Sequence, residues 1–197
     1  MKGYLDILQW ARDNKDLLNE AIENLNLEVK NIERIINTLF LNSNLEKITV
    51  KKEIANVKQL FEKIKKDYEL LNIKNEIIIK VDNEINIFVD KNLISEVLRG
   101  LIDNCIKYSV GNIELLAREG EIVEIIVRNY GEGIPEEEKK NLFNRNFQGK
   151  NAKKGSGLGL PIIKDIILLN DGKIYIENRK DGIDVKIQFK KIDYKNE

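Results

Sequence analysis

The chain has 197 residues, 42% hydrophobic and 34% charged, which suffices for one domain with an appendage or for two small domains. Its 33 basic and 33 acidic residues balance, so bulk charge gives no reason to expect a nucleic-acid partner. The absence of histidine excludes histidine-based zinc sites, Ser-His-Asp triads and a phosphohistidine within these residues. The single cysteine, Cys105, fits a reducing compartment, and no apolar run approaches the ~20 residues of a membrane span. We therefore expect a cytoplasmic location, with a membrane reached only through a parent chain.

Residues 1–45 are predicted to form a helical hairpin. A 3.5-residue apolar repeat between Leu18 and Leu39 is typical of coiled coils and helical bundles. The polar pair Asp13 and Asn14 marks a tight turn after a shorter first helix. Either a second copy completes a dimeric four-helix bundle, which we favour, or the apolar seam packs on the rest of this chain. The polar residues 43–47 predict a hinge, which divides the chain into domains 1–45 and 46–197.

The second domain mixes strands and helices without a regular βαβ alternation, which favours an α+β fold over a doubly wound sheet. Asn56 followed by Gln59 indicates a helix start. The expected elements are a strand at 48–50, a helix from Asn56 to Leu71, strands at 76–81 and 85–89 that pair with each other, a helix ending at Tyr108, a strand at 121–128, a helix at 157–170, and strands at 173–177 and 183–190.

Asn104 and Lys107 lie three residues apart near the end of the predicted helix, so they share one rim of it. An amide oxygen can ligate Mg²⁺, which prefers oxygen donors and keeps several waters. A lysine one turn further along can meet phosphate charge. Taken alone, the pair fits a solvated helix edge better than a nucleotide site, and only the glycine segments downstream favour the nucleotide site.

Two glycine-rich segments follow, at residues 129–135 and 155–160. In the first, Asn129 ends a strand, where its side chain can bond a base edge while Ile134 packs on the base face. In the second, glycines at every other position precede Pro161, which is tolerated only in a first helical turn. Free amides at such a helix start are suited to phosphate. Residues 145–154, with Phe147 as their main apolar anchor, predict a mobile lid.

The spacing excludes three other nucleotide motifs. A Walker P-loop needs GxxxxGK[ST] after a strand, and a Rossmann fingerprint needs a strand directly before the glycines. A protein-kinase glycine loop needs the accompanying kinase motifs, which are missing. A plain turn or a flexible surface loop remains the alternative for each segment taken singly.

Four segments in order resemble the sensor histidine kinases. Residues 103–108 are similar to the N box of that family, residues 129–135 to its G1 box, residues 142–147 to its F box and residues 155–160 to its G2 box. The predicted hairpin resembles the dimerisation and phosphotransfer domain. The resemblance implies a Bergerat (GHKL) α/β sandwich, with a mixed sheet covered on one face by helices, that binds Mg-ATP.

The resemblance also implies roles for individual residues. Asn104 would coordinate Mg²⁺, Lys107 and Tyr108 would contact phosphate or ribose, and Arg145 would reach the γ-phosphate. Asn104, Lys107 and Arg145 would thus form the catalytic set, and Asn129 would meet the adenine amino group. Further nucleotide contacts are expected from the glycine segments and the F box: Gly131, Gly133, Ile134, Phe147, Gly155, Ser156, Gly157, Leu158, Gly159 and Leu160.

Three departures from the family pattern stand out. The acceptor histidine is missing, and we expect it just upstream of Met1, either cut away or naturally absent. Asn129 replaces the usual G1 aspartate, which predicts weaker ATP binding by about 1 kcal/mol through the loss of charge assistance. Gly100 stands where the N box usually has a first asparagine, which loosens the helix by about 0.5–1 kcal/mol relative to Ala.

The resemblance implies the cytoplasmic catalytic portion of a sensor histidine kinase. It would transfer the γ-phosphoryl group of ATP to a histidine, for relay to the receiver domain of a response regulator that docks on the hairpin. The alternative is a degenerate nucleotide-binding or dimerisation module without kinase activity, motivated by Gly100 and Asn129. A third hypothesis is a related ATPase or an anti-sigma-type serine kinase that acts on a partner protein. The coiled-coil repeat in residues 18–39 argues against it.

Overall fold

The computed structural model describes residues 17–19, 21–22, 25, 49–71, 73–81, 84–149 and 157–193. The chain divides into two compact units, Met1–Lys47 and Ile48–Glu197. The first unit contributes six described positions, all of them helical. The predicted hairpin, its seam and its dimer interface otherwise lie outside the described residues, and the account below concerns the second unit.

The second unit is a mixed α+β structure. Its described elements, in chain order, are β1 (Glu53–Asn56), α1 (Val57–Glu69), β2 (Ile77–Lys80), β3 (Asn86–Val89), α2 (Lys91–Tyr108), β4 (Ile113–Glu119), β5 (Ile122–Tyr130), α3 (Glu136–Lys139), α4 (Gly159–Leu169), β6 (Lys173–Arg179) and β7 (Gly182–Lys190). As predicted, Asn56 caps α1: its side-chain oxygen accepts the Gln59 N–H at 3.0 Å.

The strands form a mixed five-stranded sheet and a small two-stranded ladder. The large sheet has the order β2-β4-β5-β7-β6, in which β2 and β4 are parallel and the other pairs antiparallel. The ladder joins β1 to β3 in antiparallel register. The α+β class with a mixed sheet is confirmed.

Two details of the strand prediction are wrong. β2 and β3 do not pair with each other: β2 lies parallel to β4, and β3 pairs with β1. Nearness in sequence favours a hairpin, but α2 supplies the long crossover that a parallel pair requires. The first strand is predicted at 48–50 but lies at Glu53–Asn56, because these are the residues that pair with β3.

The sequence pattern predicts no strand at residues 113–119, where the structure has β4. Its segment contains Glu, Leu and Ala, which favour helices when considered locally. Its position between β2 and β5 makes it a central strand, and five of its seven residues are buried. Burial in the sheet therefore overrides local preference here.

Helices pack on one face of the sheet and form the core with it. Along β5, alternate residues Val123, Ile125, Val127 and Asn129 are each 6% exposed or less. α2 lies against β4 and β5, and α4 packs on α2 and β6. The largest fully buried side chains include Phe61, Ile64, Ile94, Leu98, Leu101, Ile102, Ile113, Leu115 and Ile125.

Helices α2 and α4 approach closely at Gly100. A Cβ added there would lie 3.1 Å from Cδ1 of Ile163 on α4, tighter than most side-chain contacts. Asn170, just after α4, accepts the Asp90 N–H at 2.7 Å, and the Asp90 carboxylate caps the start of α2. The two helices that carry the N-box and G2-box residues are therefore joined to each other. Within the described ranges, no helix has the length and apolar character needed to cross a bilayer.

Candidate nucleotide-binding site

Asn129 is a largely buried residue whose side-chain amide bonds to none of the described residues. It lies near the end of β5 on the helix-covered face, and it is 6% exposed. Five polar side chains are buried among the described residues, and four of them form hydrogen bonds: Asp90, Glu114, Asn170 and Asp184. The Asn129 amide forms none with any residue that the structure describes. In the described part of the chain, Nη1 of Arg179 is the one fully buried polar side-chain atom without a partner, so the Asn129 amide reaches solvent and is open to a polar ligand.

The two residues that follow Asn129 bring the end of α2 to the first glycine segment. The Ser109 hydroxyl donates to the Tyr130 carbonyl at 3.0 Å and accepts the Tyr130 N–H at 3.2 Å. Gly131 has φ +149°, and a Cβ there would lie 3.1 Å from the Tyr108 carbonyl oxygen. Glycine is required at this position because the chain both takes a left-handed conformation and passes close to α2.

Asn178 on β6 fixes the far end of the same segment. Its Oδ1 accepts the Ile134 N–H at 2.9 Å, and its Nδ2 donates to the Ile134 carbonyl at 2.7 Å. A Cβ on Gly133 would lie 3.2 Å from the Asn178 side chain, which explains a glycine there. The sequence does not predict this role of Asn178, because its partner lies 44 residues away and no local pattern marks the pair.

Asn104, Lys107 and Tyr108 lie in the last two turns of α2. Asn104 is half-buried, and its amide forms no hydrogen bond within the described part of the chain. Lys107 is exposed, and Tyr108 is 39% exposed. An amide oxygen, an ammonium group and a phenol hydroxyl are therefore present along one short stretch of helix.

Two neighbours of Asn104 in the N box have structural functions. Asp103 accepts a hydrogen bond from the Tyr68 hydroxyl at 2.8 Å, which holds α2 on α1. Burial, with a smaller contribution from the Asp103 charge, raises the pKa of the Cys105 thiol to about 12. Cys105 is thus a neutral core residue and no nucleophile at neutral pH.

The N-terminus of α4 presents uncapped backbone amides. The helix begins at Gly159, two residues later than predicted, and no side chain caps it at Leu158. The first N–H groups of a helix lack intrahelical partners and lie at the positive end of the dipole. A Cβ on Gly159 would meet nothing within 4 Å, so open space adjoins this turn. Leu160 and Pro161 complete the first turn.

The F-box segment contacts the start of α4. Gly157 has φ +67°, and a Cβ there would lie 2.9 Å from the Phe147 carbonyl oxygen. The Nη2 of Arg145 lies 3.4 Å from Oδ2 of Asp165 on α4. The structure thus brings Phe147 to Gly157 and joins Arg145 to α4, whereas Gly155 and Ser156 lie outside the described residues.

The comparisons with known proteins agree on one family. A family model described as histidine kinase-, DNA gyrase B-, and HSP90-like ATPase matches residues 89–193. The sensor histidine kinase YkoH of Bacillus subtilis is 30% identical over 182 residues, which cover 84% of this chain and 38% of the relative. The chain therefore spans well under half of that relative's length.

Solved structures show the same fold. The catalytic domain of histidine kinase ThkA aligns with a TM-score of 0.64 at 28% identity, covering 72% of this chain and 96% of that domain. ThkA in complex with the response regulator protein TrrA aligns with a TM-score of 0.67 at 24% identity, covering 97% of this chain and 56% of that one. The chain accordingly belongs to the family of histidine kinase-, DNA gyrase B- and HSP90-like ATPases, and the sensor histidine kinases are the members it resembles.

Proposed function

We propose that this chain is the catalytic portion of a sensor histidine kinase that binds Mg-ATP between α2 and the start of α4. The Asn129 amide carries the proposal: it bonds to none of the described residues and is open to a ligand at the end of β5, where the edge of a purine base can bond to it. The family match supplies the chemistry, since these proteins share an ATP-binding ATPase domain.

The glycine segments would hold the rest of the nucleotide. Gly131 and Gly133 let the first segment pack closely on the Tyr108 carbonyl and the Asn178 side chain, which would hold Ile134 in position for the base. The amides at Gly157, Leu158 and Gly159 would receive the phosphates, because the start of α4 has no side-chain cap and open space beside it. Gly155, Ser156 and Leu160 would extend this contact.

The Asn104 amide oxygen fits a magnesium ion that arrives with the nucleotide. The described residues contain no group of three His, Cys, Asp or Glu side chains able to hold a metal. Mg²⁺ in nucleotide sites commonly takes one or two protein ligands besides phosphate oxygens and water, so a single amide oxygen suffices. The bound ion would neutralise phosphate charge and polarise the transferred group.

Catalysis by this chain would then consist of positioning and charge neutralisation. Lys107 and Arg145 would bring positive charge to the phosphates, and Phe147 would help to close the site over them. The bond between the γ-phosphorus and its bridging oxygen breaks as a histidine nitrogen bonds to phosphorus, and ADP leaves. The acceptor histidine must come from residues other than these 197, which contain none.

The partners follow from the same assignment. We propose that residues 1–45 form a homodimer and that a response-regulator receiver domain accepts the phosphoryl group in the cytoplasm. Support comes from ThkA, a histidine kinase whose structure in complex with a response regulator has this fold. The degenerate-module alternative loses part of its motivation, because Gly100 has a packing role against Ile163.

Two measurements test the function. Calorimetry with Mg²⁺ and a non-hydrolysable ATP analogue should give a micromolar dissociation constant, weakened in Asn104→Ala and unchanged in Asn92→Ala, an exposed amide at the other end of α2. Fusing an upstream helical segment that carries a histidine should then give ATP-dependent labelling of that histidine. Silence in the calorimeter would favour the degenerate module, and binding without any labelling would contradict the kinase assignment.

A further inference from the structure

Hydrogen bonds fix the side-chain amides of Asn170 and Asn178, but none from a described residue fixes the amide of Asn129. Asn170 accepts the Asp90 N–H and donates to the Ile166 carbonyl, so its orientation is fixed at both atoms. Asn178 is fixed in the same way by the backbone of Ile134. Asn129, although 6% exposed, has no described partner that favours either orientation of its amide. It is therefore able to present its oxygen or its NH₂ group to a ligand as the ligand requires.

We propose that Asn129 makes the base site of this chain accept 6-oxopurine nucleotides, namely guanosine and inosine triphosphates, as well as ATP. The inference rests on the proposed function, since it concerns the base of the nucleotide bound there. It names a substrate class that an aspartate at this position would reject.

The chemistry of the purine edge explains the difference. Adenine presents an amino donor at C6 and an acceptor at N1, whereas guanine and hypoxanthine present a carbonyl acceptor at C6 and a donor at N1. An ionised aspartate only accepts hydrogen bonds, so a carboxylate placed opposite C6 pairs with the amino group of adenine and repels the O6 of an oxopurine. An asparagine has one accepting oxygen and two N–H donors, so it can pair with either edge after a rotation of its amide.

The surroundings of Asn129 strengthen this effect. Its neighbours across the sheet are Ile113 on β4 and Ile183 on β7, both apolar. Hydrogen bonds count for more in such a low-dielectric site, and a mismatched polar pair costs more. The neutral amide adds no charge to repel O6, so the choice between purine edges falls on hydrogen bonding alone.

Titrations of the whole chain with Mg-ATP, Mg-ITP and Mg-GTP test the inference. Inosine triphosphate has the 6-oxo group without the 2-amino group of guanine, so it isolates recognition at C6 from crowding at C2. We expect the dissociation constants for ITP and ATP to lie within about tenfold of each other, since one neutral hydrogen bond is exchanged for another. An ITP affinity more than tenfold below that of ATP would overturn the inference and leave ATP binding intact. Binding of none of the three nucleotides would instead overturn both this inference and the proposed function.

Variants at Asn129 attribute the preference to its amide. Asn129→Asp should raise the ITP to ATP ratio of dissociation constants at least about tenfold, because O6 then faces a carboxylate. Asn92→Asp, the same change at an exposed position, should leave that ratio unchanged. Asn129→Ala should weaken ATP and ITP binding by similar factors, which provides a second readout if the aspartate variant folds poorly. An unchanged ratio in Asn129→Asp, or loss of ATP binding alone in Asn129→Ala, would overturn the assignment.

Discussion

Gly157→Ala, compared with Gly159→Ala, gives a matched test of how the second glycine segment is built. Gly157 has φ +67°, where a non-glycine residue pays about 1–2 kcal/mol. The new methyl would also lie 2.9 Å from the Phe147 carbonyl oxygen and 3.0 Å from the Asn146 carbonyl carbon, so backbone must move. We expect a total loss of about 2 kcal/mol, or roughly 4–8 °C in Tm for a chain of this size. At Gly159 the methyl meets nothing within 4 Å, and Ala favours the helix.

Thermal and urea unfolding of the nucleotide-free proteins check this prediction. Gly157→Ala should be clearly less stable than the parent chain, and Gly159→Ala equally or more stable. Gly159→Ala should nevertheless bind Mg-ATP about tenfold more weakly or worse. The open space beside Gly159 is the proposed phosphate position, so the new methyl would displace the phosphates and cost a hydrogen bond to them. Equal unfolding free energies for the two variants would refute the reasoning from backbone conformation and close contact.

Two further predictions concern the ion pairs of Arg128 with Glu114 and Asp184 on the sheet, and the clamp that the Asn178 side chain forms on Ile134. Burial raises the pKa values of Asp184 and Glu114, but hydrogen bonds and nearby positive charge, including Arg128, outweigh it and lower both below their ordinary values. Their contribution to stability is complete above the unfolded-state pKa of about 4 and is lost as pH falls through the lower folded-state pKa values. Arg128→Met should cost about 2 kcal/mol at pH 7, because Glu114 and Asp184 lose the Arg128 guanidinium although Lys80, Tyr130 and Arg179 still contact them. The variant should also lose less stability than the parent chain as the pH falls below about 4, and unfolding free energies in urea that decline equally with pH in both proteins would contradict this. Asn178→Ala removes two hydrogen bonds to Ile134 and should raise the Kd for Mg-ATP about tenfold with little change in Tm; an unchanged Kd would show that the clamp does not position the site.

The features that the sequence determined by itself are those with local physical causes. The two glycine segments could be recognised because close approach and left-handed φ angles select glycine, and Gly131 and Gly157 show both. The cap at Asn56 and the place of Pro161 in the first turn of α4 depend only on neighbouring residues. The sequence also marks Asn129 as the residue that replaces the usual aspartate, but it does not show that the Asn129 amide bonds to none of the described residues.

Only the tertiary structure decided the features that depend on distant residues. Parallel pairing of β2 with β4 needs the crossover through α2, and β4 becomes a strand because its neighbours bury it. Asn178 clamps a loop 44 residues away. Gly100, interpreted from the sequence as a lost asparagine, proves to be the point where α2 and α4 approach. Side-chain contacts between elements arise from packing, which a short sequence window does not contain, whereas turns and caps are specified within a few residues.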